Sequence, residues 1–596
     1  MRRQHSMPFG VSLTANGAAF RLWAPAATEV GLRLNTEARD RAMMRKPDGW
    51  FDLTLAAAKP GDRYQFVVDG KQPVPDPASR FQPADVKGPS EIIDPAAFDW
   101  SDGDWSGRPW HEAVIYELHL GAFTQSGGFS GAQDELERLA RLGVTAIELM
   151  PIADFAGRRN WGYDGVLPFA PDSAYGRPEA LKALICAAHR RGLMVFLDVV
   201  YNHFGPEGNY LPLYAPQFFA QAETAWGKAL DFLGCARRFF IHNALYWLEE
   251  YHVDGLRLDA VHAIGDDSAP HFLVELAEEL RAALARPNIH LILENDKNEA
   301  RYLDRRTDGS TALFDAQWND DFHHAMHVAL TGETEGYYGD YADDPVKRLG
   351  RALTQGFAYQ GEGSKFRGRA RGEPSAHLPP LAFVNFVQNH DQIGNRAFGE
   401  RLICLTSREA LSAAIAILLL APSPPLLFMG EELGARAPFL FFCDFKGALA
   451  DAVRNGRRRE FAHFRAFASE EARQAIPDPL AFETFALSRI AHSLTNPDPL
   501  FAALYGELLA LRHREIIPRL AGRHPFSAVD ETQDRWLAAH WWLADGSQLS
   551  LSANLSDTEI AAPERPTGRV IWQSGTRAGR LAPWDVRWTL AESAAP

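Results

Sequence analysis

From Val114 onward the chain repeats one pattern, a short apolar run followed by an amphipathic stretch and then another apolar run. Eight such runs can be read: VIYELHL, VTAIELMPI, LMVFLDVVYNH, DGLRLDAVH, HLILEND, ALFDAQW, FVNFVQNHD and PPLLFMGEE. Between them lie segments such as GAQDELERLARLG and PEALKALICAAHRRG, each closed by a glycine suited to the position after a helix end. Repeated β-then-α units of this kind predict an α/β fold, a (β/α)8 TIM barrel, with a doubly wound parallel sheet as the competing topology. In a barrel the active site forms at the C-terminal ends of the strands, so charged groups at the tail of an apolar run are functional candidates. Asp198, Asp259, Glu294 and Asp391 recur there on strand after strand. Purely stabilising acids would instead be scattered, or would lie at both strand ends.

The flanks read differently. The first hundred residues carry AAFRLWAP, WFDLTL and YQFVVDG, punctuated by Asp48-Gly49 and Asp69-Gly70, the pattern of a small β-sandwich. PVPDPASRFQPADVKGPS then reads as an extended connection packed on a neighbour. After the eighth run, RWLAAHWWLADGSQLSLSANLS predicts a terminal β-domain with Asp545-Gly546 as a turn. The expected organisation is a carbohydrate-binding-module-like sandwich over residues 1–100, a catalytic barrel with insertions over 101–520 and a C-terminal β-domain over 521–596. Residues 361–373, GEGSKFRGRARGE, read as a flexible, solvated polar loop between the sixth and seventh strands.

Several function classes are excluded. The formal charge of -15, from 76 acidic against 61 basic residues, lacks the footprint that nucleic-acid binding requires. The longest apolar run, Ala413 to Ala421, is broken by Pro422 and falls short of the roughly 20 residues that span a bilayer. It predicts a buried helix and no membrane association. Cys186, Cys235, Cys404 and Cys443 lie far apart without CxxC pairing, which suits neither a disulfide framework nor a structural zinc site. Two arginines near the N-terminus have no apolar stretch behind them, so a secretory signal is not expected and the expected compartment is the cytoplasm.

Cleaving an acetal between sugars requires a proton for the leaving oxygen and stabilisation of an oxocarbenium-like transition state, and two carboxyl groups can supply both. In GLRLDAVH, period-two alternation puts Arg257 and Asp259 on one face of the strand. The arginine should lower the Asp259 pKa and keep it ionised, as a nucleophile needs. Glu294 ends HLILE, whose apolar surroundings should raise its pKa and keep it protonated as a general acid. His203 and His390 flank the remaining acids in DVVYNH and NHD, where imidazoles can donate to sugar hydroxyls or serve as structural donors. Asp391 can grip vicinal hydroxyls.

In order and spacing, DVVYNH, GLRLDAVH, the glutamate of ILEND, and QNHD resemble the four signature regions of the alpha-amylase superfamily. The resemblance covers roughly residues 110 to 520, with an N-terminal sandwich like that of branching and debranching relatives. It implies a retaining double displacement, with Asp259 as nucleophile, Glu294 as acid/base and Asp391 as the stabilising carboxylate. Their roles demand Asp259 and Glu294 carboxyl groups about 5 to 5.5 Å apart. The resemblance further implies that Arg257, His203 and His390 hold the glucosyl unit at the cleavage subsite and that Tyr163 stacks beneath it. Many relatives bind calcium through the asparagine matching Asn202, but acidic partners for such a site are not identifiable, so neither a metal nor another cofactor is expected.

Within that superfamily, FVNFVQNHDQIGNRAFGERL, DAQWNDDFHHA and ENDKN resemble the malto-oligosyltrehalose trehalohydrolases. That resemblance implies cleavage of the alpha-1,4 bond beside a terminal trehalose, malto-oligosyltrehalose and related alpha-glucans as substrates, and a malto-oligosyltrehalose synthase as metabolic partner. It also implies that His262, Asp320, Asp321, His323, His324, Gln392, Asn395 and Arg396 line the leaving-group side. The competing reading of NDDFHH is a helix start, with Asn319 or Asp320 as cap and the histidines on the helix surface. A glycogen branching transferase, a general alpha-amylase and a non-catalytic glucan-binding protein are the alternatives.

Overall fold

The computed structural model describes residues 4–592, apart from 225–226, 285, 287, 522–525, 562–567 and 576–579. Eight parallel strands form one sheet. They are β1 (Ile115–Leu118), β2 (Ala146–Leu149), β3 (Met194–Val199), β4 (Gly255–Leu258), β5 (His290–Leu293), β6 (Ala316–Trp318), β7 (Phe383–Val384) and β8 (Leu426–Phe428). Each of the eight apolar runs contributes one of these strands. The sheet runs in sequence order from β1 to β7 with β8 beside β1, and Asn385 closes it by pairing with Pro425. This is a TIM barrel, and the doubly wound alternative is excluded by that closure.

Helices α1 (Gly128–Leu142), α2 (Pro178–His189), α3 (Cys235–Glu250) and α4 (Phe272–Ala283) follow the first four strands in turn. Gly143, left-handed at φ 103°, ends α1, because a side chain there would meet its own backbone. The β-then-α alternation lapses after β5, where a single 3-10 turn, Ala300–Leu303, stands in place of a helix. Two helices, α5 (Asp320–Thr331) and α6 (Pro345–Gln355), follow β6, and α7 (Arg408–Leu420) precedes β8. The apolar run from Ala413 lies in α7 and is buried.

Strand alternation divides the barrel into two shells. Ile115, Ala146, Phe196, Ile292, Trp318, Val384 and Leu426 pack inside it, while the opposite strand faces join the helices in the main core. Two residues further along β1, β2, β3 and β5 the same inward face carries Glu117, Glu148, Asp198 and Glu294. The interior is therefore apolar at its base and charged at the C-terminal mouth.

An antiparallel sandwich precedes the barrel, with Gly17–Trp23 paired to Trp50–Leu55 in one sheet and Val30–Leu34 to Arg63–Val68 in the other. It is fastened to α3 through buried polar contacts, among them Arg80 to Glu250 at 3.4 Å and His5 to Glu249 at 2.7 Å. After the barrel comes a five-stranded antiparallel sheet. Its stacked Trp541 and Trp588 dock it on the barrel, their indole N–H groups donating to carbonyls of Leu353 in α6 and Ala416 in α7. No helix among the described residues is long and apolar enough to cross a membrane.

Candidate active site

Arg257 is the hub of the barrel mouth. It is fully buried, and its guanidinium lies 4.1 Å from the centre of the Trp318 ring. Nη1 donates to Asp198 Oδ2 at 2.7 Å and to Asp259 Oδ1 at 2.9 Å, while Nη2 donates to Glu294 Oε2 at 2.9 Å. One rigid fork thus orients both Asp259 and Glu294, a task its planar geometry suits. Directly after Asp259 the chain turns through Ala260, a non-glycine residue at φ 40°, which is a strained conformation. The strain has a use, for it aims the Ala260 N–H at Glu294 Oε2, 2.8 Å away.

The two carboxyl groups differ in how they are satisfied. Asp259 has a donor on each oxygen, Arg257 on Oδ1 and Asn202 on Oδ2. Both hydrogen bonds that Glu294 accepts fall on Oε2, leaving Oε1 unengaged by donors among the described residues. Burial raises Glu294 above the ordinary glutamate range against the pull of Arg257, with Asp259 adding to the rise. Asp259 departs from expectation. Burial raises it too, outweighing Arg257, because Asp198 shares the same guanidinium and repels it. Nor is Glu294 in purely apolar surroundings. The arginine serves both acids, and the Asp259 carboxyl is further lowered by hydrogen bonds from Asn202 and with Glu294, whereas Asp259 adds to the rise of Glu294.

The rest of the rim closes around this pair. Tyr163 donates to Asp198 Oδ2 at 2.7 Å and stacks on His390, with ring centres 5.1 Å apart. His390 bonds Glu117 through Nδ1 and lies 3.4 Å from Asp391 through Nε2. Burial disfavours its charge, but Glu117 and Asp391 outweigh burial and bring its pKa up to about 9. His203 bonds the Asn202 side chain and the Tyr163 carbonyl. Asp391, at the start of a short helix, is a third exposed at its side chain and accepts from Asn395 at 3.3 Å. Gln392 is turned back to accept the Asn389 N–H at 3.2 Å. His262 accepts the Asp296 N–H at 3.2 Å.

The residues after β6 separate. Asn319 caps α5, and Asp320 is half-buried with no hydrogen bond to its side chain among the described residues. Burial, Glu294, Asp296 and Asp391 drive the Asp320 pKa well upward against Arg371. Asp321, His323 and His324, expected beside it on the leaving-group side, are instead buried and engaged within the protein, although His323 and His324 share a helix face with Asp320. Asp321 is fully buried and bonded to Arg371, Tyr341, Asn298 and the backbone of Ala358 and Tyr359. His323 bonds the Val387 carbonyl and Tyr338, and His324 faces Tyr341 at 3.3 Å. Neither histidine is on the surface. Arg396 is held by Glu333 and Glu400.

Some participants escaped sequence reasoning. Glu117 and Glu148 lie inside apolar runs, and their only signal was their inward register. The 361–373 segment is tied down, since Arg371 is buried against Asp321 and Arg367 forks onto Asp296 beside the cleft. Among the described residues no group of three or more His, Cys, Asp or Glu is placed to hold a metal, and Asn202 donates its side-chain N–H to Asp259 while its amide oxygen lies against His203 Nδ1.

A model of the alpha-amylase catalytic domain matches residues 92–213, carbohydrate-binding module 48 (isoamylase N-terminal domain) matches 8–96, and a domain of unknown function matches 526–588. The chain is 44% identical to a malto-oligosyltrehalose trehalohydrolase of Saccharolobus solfataricus, covering 76% of this chain and 80% of the relative. It is 42% identical to the enzyme of that name from Arthrobacter ramosus, covering 94% and 96%. A crystal structure described as a putative alpha amylase from Salmonella typhimurium superposes with a TM-score of 0.94 at 47% identity, covering 98% and 99%. A 1,4-alpha-glucan branching enzyme of Burkholderia thailandensis matches over only 41% of this chain, at 34% identity.

Proposed function

We propose, for a chain that belongs to the malto-oligosyltrehalose trehalohydrolase family of the alpha-amylase superfamily, that Asp259, Glu294 and Asp391 carry out its glycoside hydrolysis by a retaining double displacement. The enzyme is a glycoside hydrolase that cleaves the alpha-1,4 bond next to the terminal trehalose of malto-oligosyltrehalose, releasing trehalose and a malto-oligosaccharide. Asp259 attacks the anomeric carbon while Glu294 Oε1 gives its proton to the leaving oxygen. Trehalose departs, and Glu294 then takes a proton from the water that releases the glucosyl unit. Asp391 and His390 bind the ring hydroxyls, and Tyr163 lies beneath the ring.

The observation that carries this reading is the shared fork of Arg257, which ties Asp259 and Glu294 to one guanidinium. It favours the short carboxyl spacing of retaining enzymes, about 5 to 5.5 Å, over the roughly 6.5 to 9.5 Å that an inverting enzyme leaves for water. Asp320, polar and unengaged beside Glu294, is our choice for reading a trehalose hydroxyl, since a substrate lacking that partner would leave it unpaired. His262, Gln392 and Asn395 are proposed as its companions on that side. Four free cysteines suit the reducing cytoplasm, where a malto-oligosyltrehalose synthase would supply substrate. We take the domain limits near residues 100 and 520.

The test is parallel incubation with malto-oligosyltrehalose and with malto-oligosaccharide, assaying free trehalose. The expected result is trehalose from the first alone, with slower cleavage of the second. No trehalose would overturn the specificity, and branched product from amylose would favour a transferase.

A further inference from the structure

Beneath the cleft, the inward faces of β1, β2 and β3 present Glu117, Glu148 and Asp198, with Glu117 directly opposite Glu148 in register and Asp198 two residues beyond Phe196, which faces Glu148 from β3. Their surroundings are unequal. Glu117 accepts from the ring and the backbone of His390. Asp198 Oδ2 accepts from Tyr163 and Arg257, while its Oδ1 is buried without a donor among the described residues. Glu148 is 1% exposed, and neither of its oxygens has a hydrogen-bond partner among the described residues. The charged groups facing it are Glu117 from β1, Asp198 from β3, Arg257 from β4 and His390 from the segment after β7. Arg257 already spends its terminal nitrogens on Asp198, Asp259 and Glu294, and His390 is taken by Glu117.

An ionised carboxylate buried without a donor, beside two other carboxylates, is among the costliest groups a protein interior can hold, and such a group stays neutral instead. We propose that Glu148 is carried as a neutral carboxylic acid and acts as a positioning residue, its proton directed toward the bare Oδ1 of Asp198. The Asp198 to Arg257 link, and through it the grip of Arg257 on Asp259 and Glu294, then depends on Glu148 staying protonated. Burial first, then Glu117 and Asp198, raises its pKa well above the carboxyl range, in keeping with this placement. Loss of the proton would set a second bare carboxylate against Asp198 and draw Arg257 away from the reacting pair.

This inference rests on the functional reading above, and the experiment separates the two. The kcat/KM for malto-oligosyltrehalose is followed across pH in wild type, Glu148→Gln and Glu148→Leu, with circular dichroism as a fold control. Gln keeps a donor and cannot ionise, so it should stay within about threefold of wild type at neutral pH. Leu removes the donor and should lower activity about 10- to 100-fold at every pH. The infrared difference spectrum of wild type minus Glu148→Gln should show a neutral-carboxyl band that persists above the ordinary carboxyl range. The inference is overturned if Gln falls as far as Leu at neutral pH or if the difference spectrum lacks such a band. A wild type inactive on every alpha-glucan would instead defeat the functional reading, while the infrared band would still report on Glu148.

Discussion

Replacing Arg257 with lysine isolates the geometry of the site from its charge. The guanidinium reaches Asp198 and Asp259 with Nη1 and Glu294 with Nη2, at 2.7, 2.9 and 2.9 Å. A lysine in the same buried space keeps the positive charge but carries it on a single nitrogen. It can serve Asp198 and Asp259, which already share one donor atom, but not the acid on the other arm of the fork. Glu294 then loses one charge-assisted hydrogen bond, worth about 1.5–3 kcal/mol. If that bond holds the acid at the leaving oxygen, the loss appears in the barrier, and at about 1.36 kcal/mol per tenfold it predicts a drop of about 10- to 150-fold in kcat. The assay is steady-state release of trehalose, with a thermal melt alongside to show that Arg257→Lys folds. A kcat within about twofold of wild type, or a loss confined to KM, would refute the claim that the fork positions Glu294.

Glu294→Gln should lower kcat by about 10²- to 10⁴-fold on oligosaccharides. It should lose much less on a glycosyl fluoride, whose leaving group needs no proton, and an equal loss on both would remove Glu294 from the acid role. His390 titrates near 9 in the folded state, above the ordinary histidine value of about 6.5, so its charge stabilises the fold fully below about 6.5. That contribution, on the order of 3 kcal/mol, should vanish as pH rises through about 9, and denaturant melts of His390→Gln should lack this slope. Asp321→Ala strands the buried Arg371 and should cost about 3–5 kcal/mol, read as a lowered melting temperature. Asp320→Ala should instead leave the melt intact and reduce the ratio of kcat/KM on malto-oligosyltrehalose to that on malto-oligosaccharide, and an unchanged ratio would clear Asp320 of that role.

The barrel and the acids at its mouth were legible in the sequence because both follow from strand periodicity. An apolar run that alternates faces must place Arg257 and Asp259 on the same side, and a carboxylate at its end must lie at the mouth. What the sequence could not convey is partnership, which depends on residues brought together from separate strands. Arg257 serves Glu294 as fully as Asp259, so the arginine that local reading credited with lowering one pKa divides its effect between two acids and Asp198. NDDFHH reads as a polar patch, yet tertiary partners cover Asp321, His323 and His324, while Asp320 has no hydrogen bond to its side chain among the described residues. Arg371 came from a loop that looked solvated and is buried because Asp321 needs a counter-charge. Glu117 and Glu148, lost to the eye within apolar strands, differ in that His390 donates to the first while the second has no hydrogen-bond partner among the described residues. Covalent order and periodicity determined which groups reach the mouth of the barrel, and only packing decided which hold protons, which hold one another and which are left for the sugar.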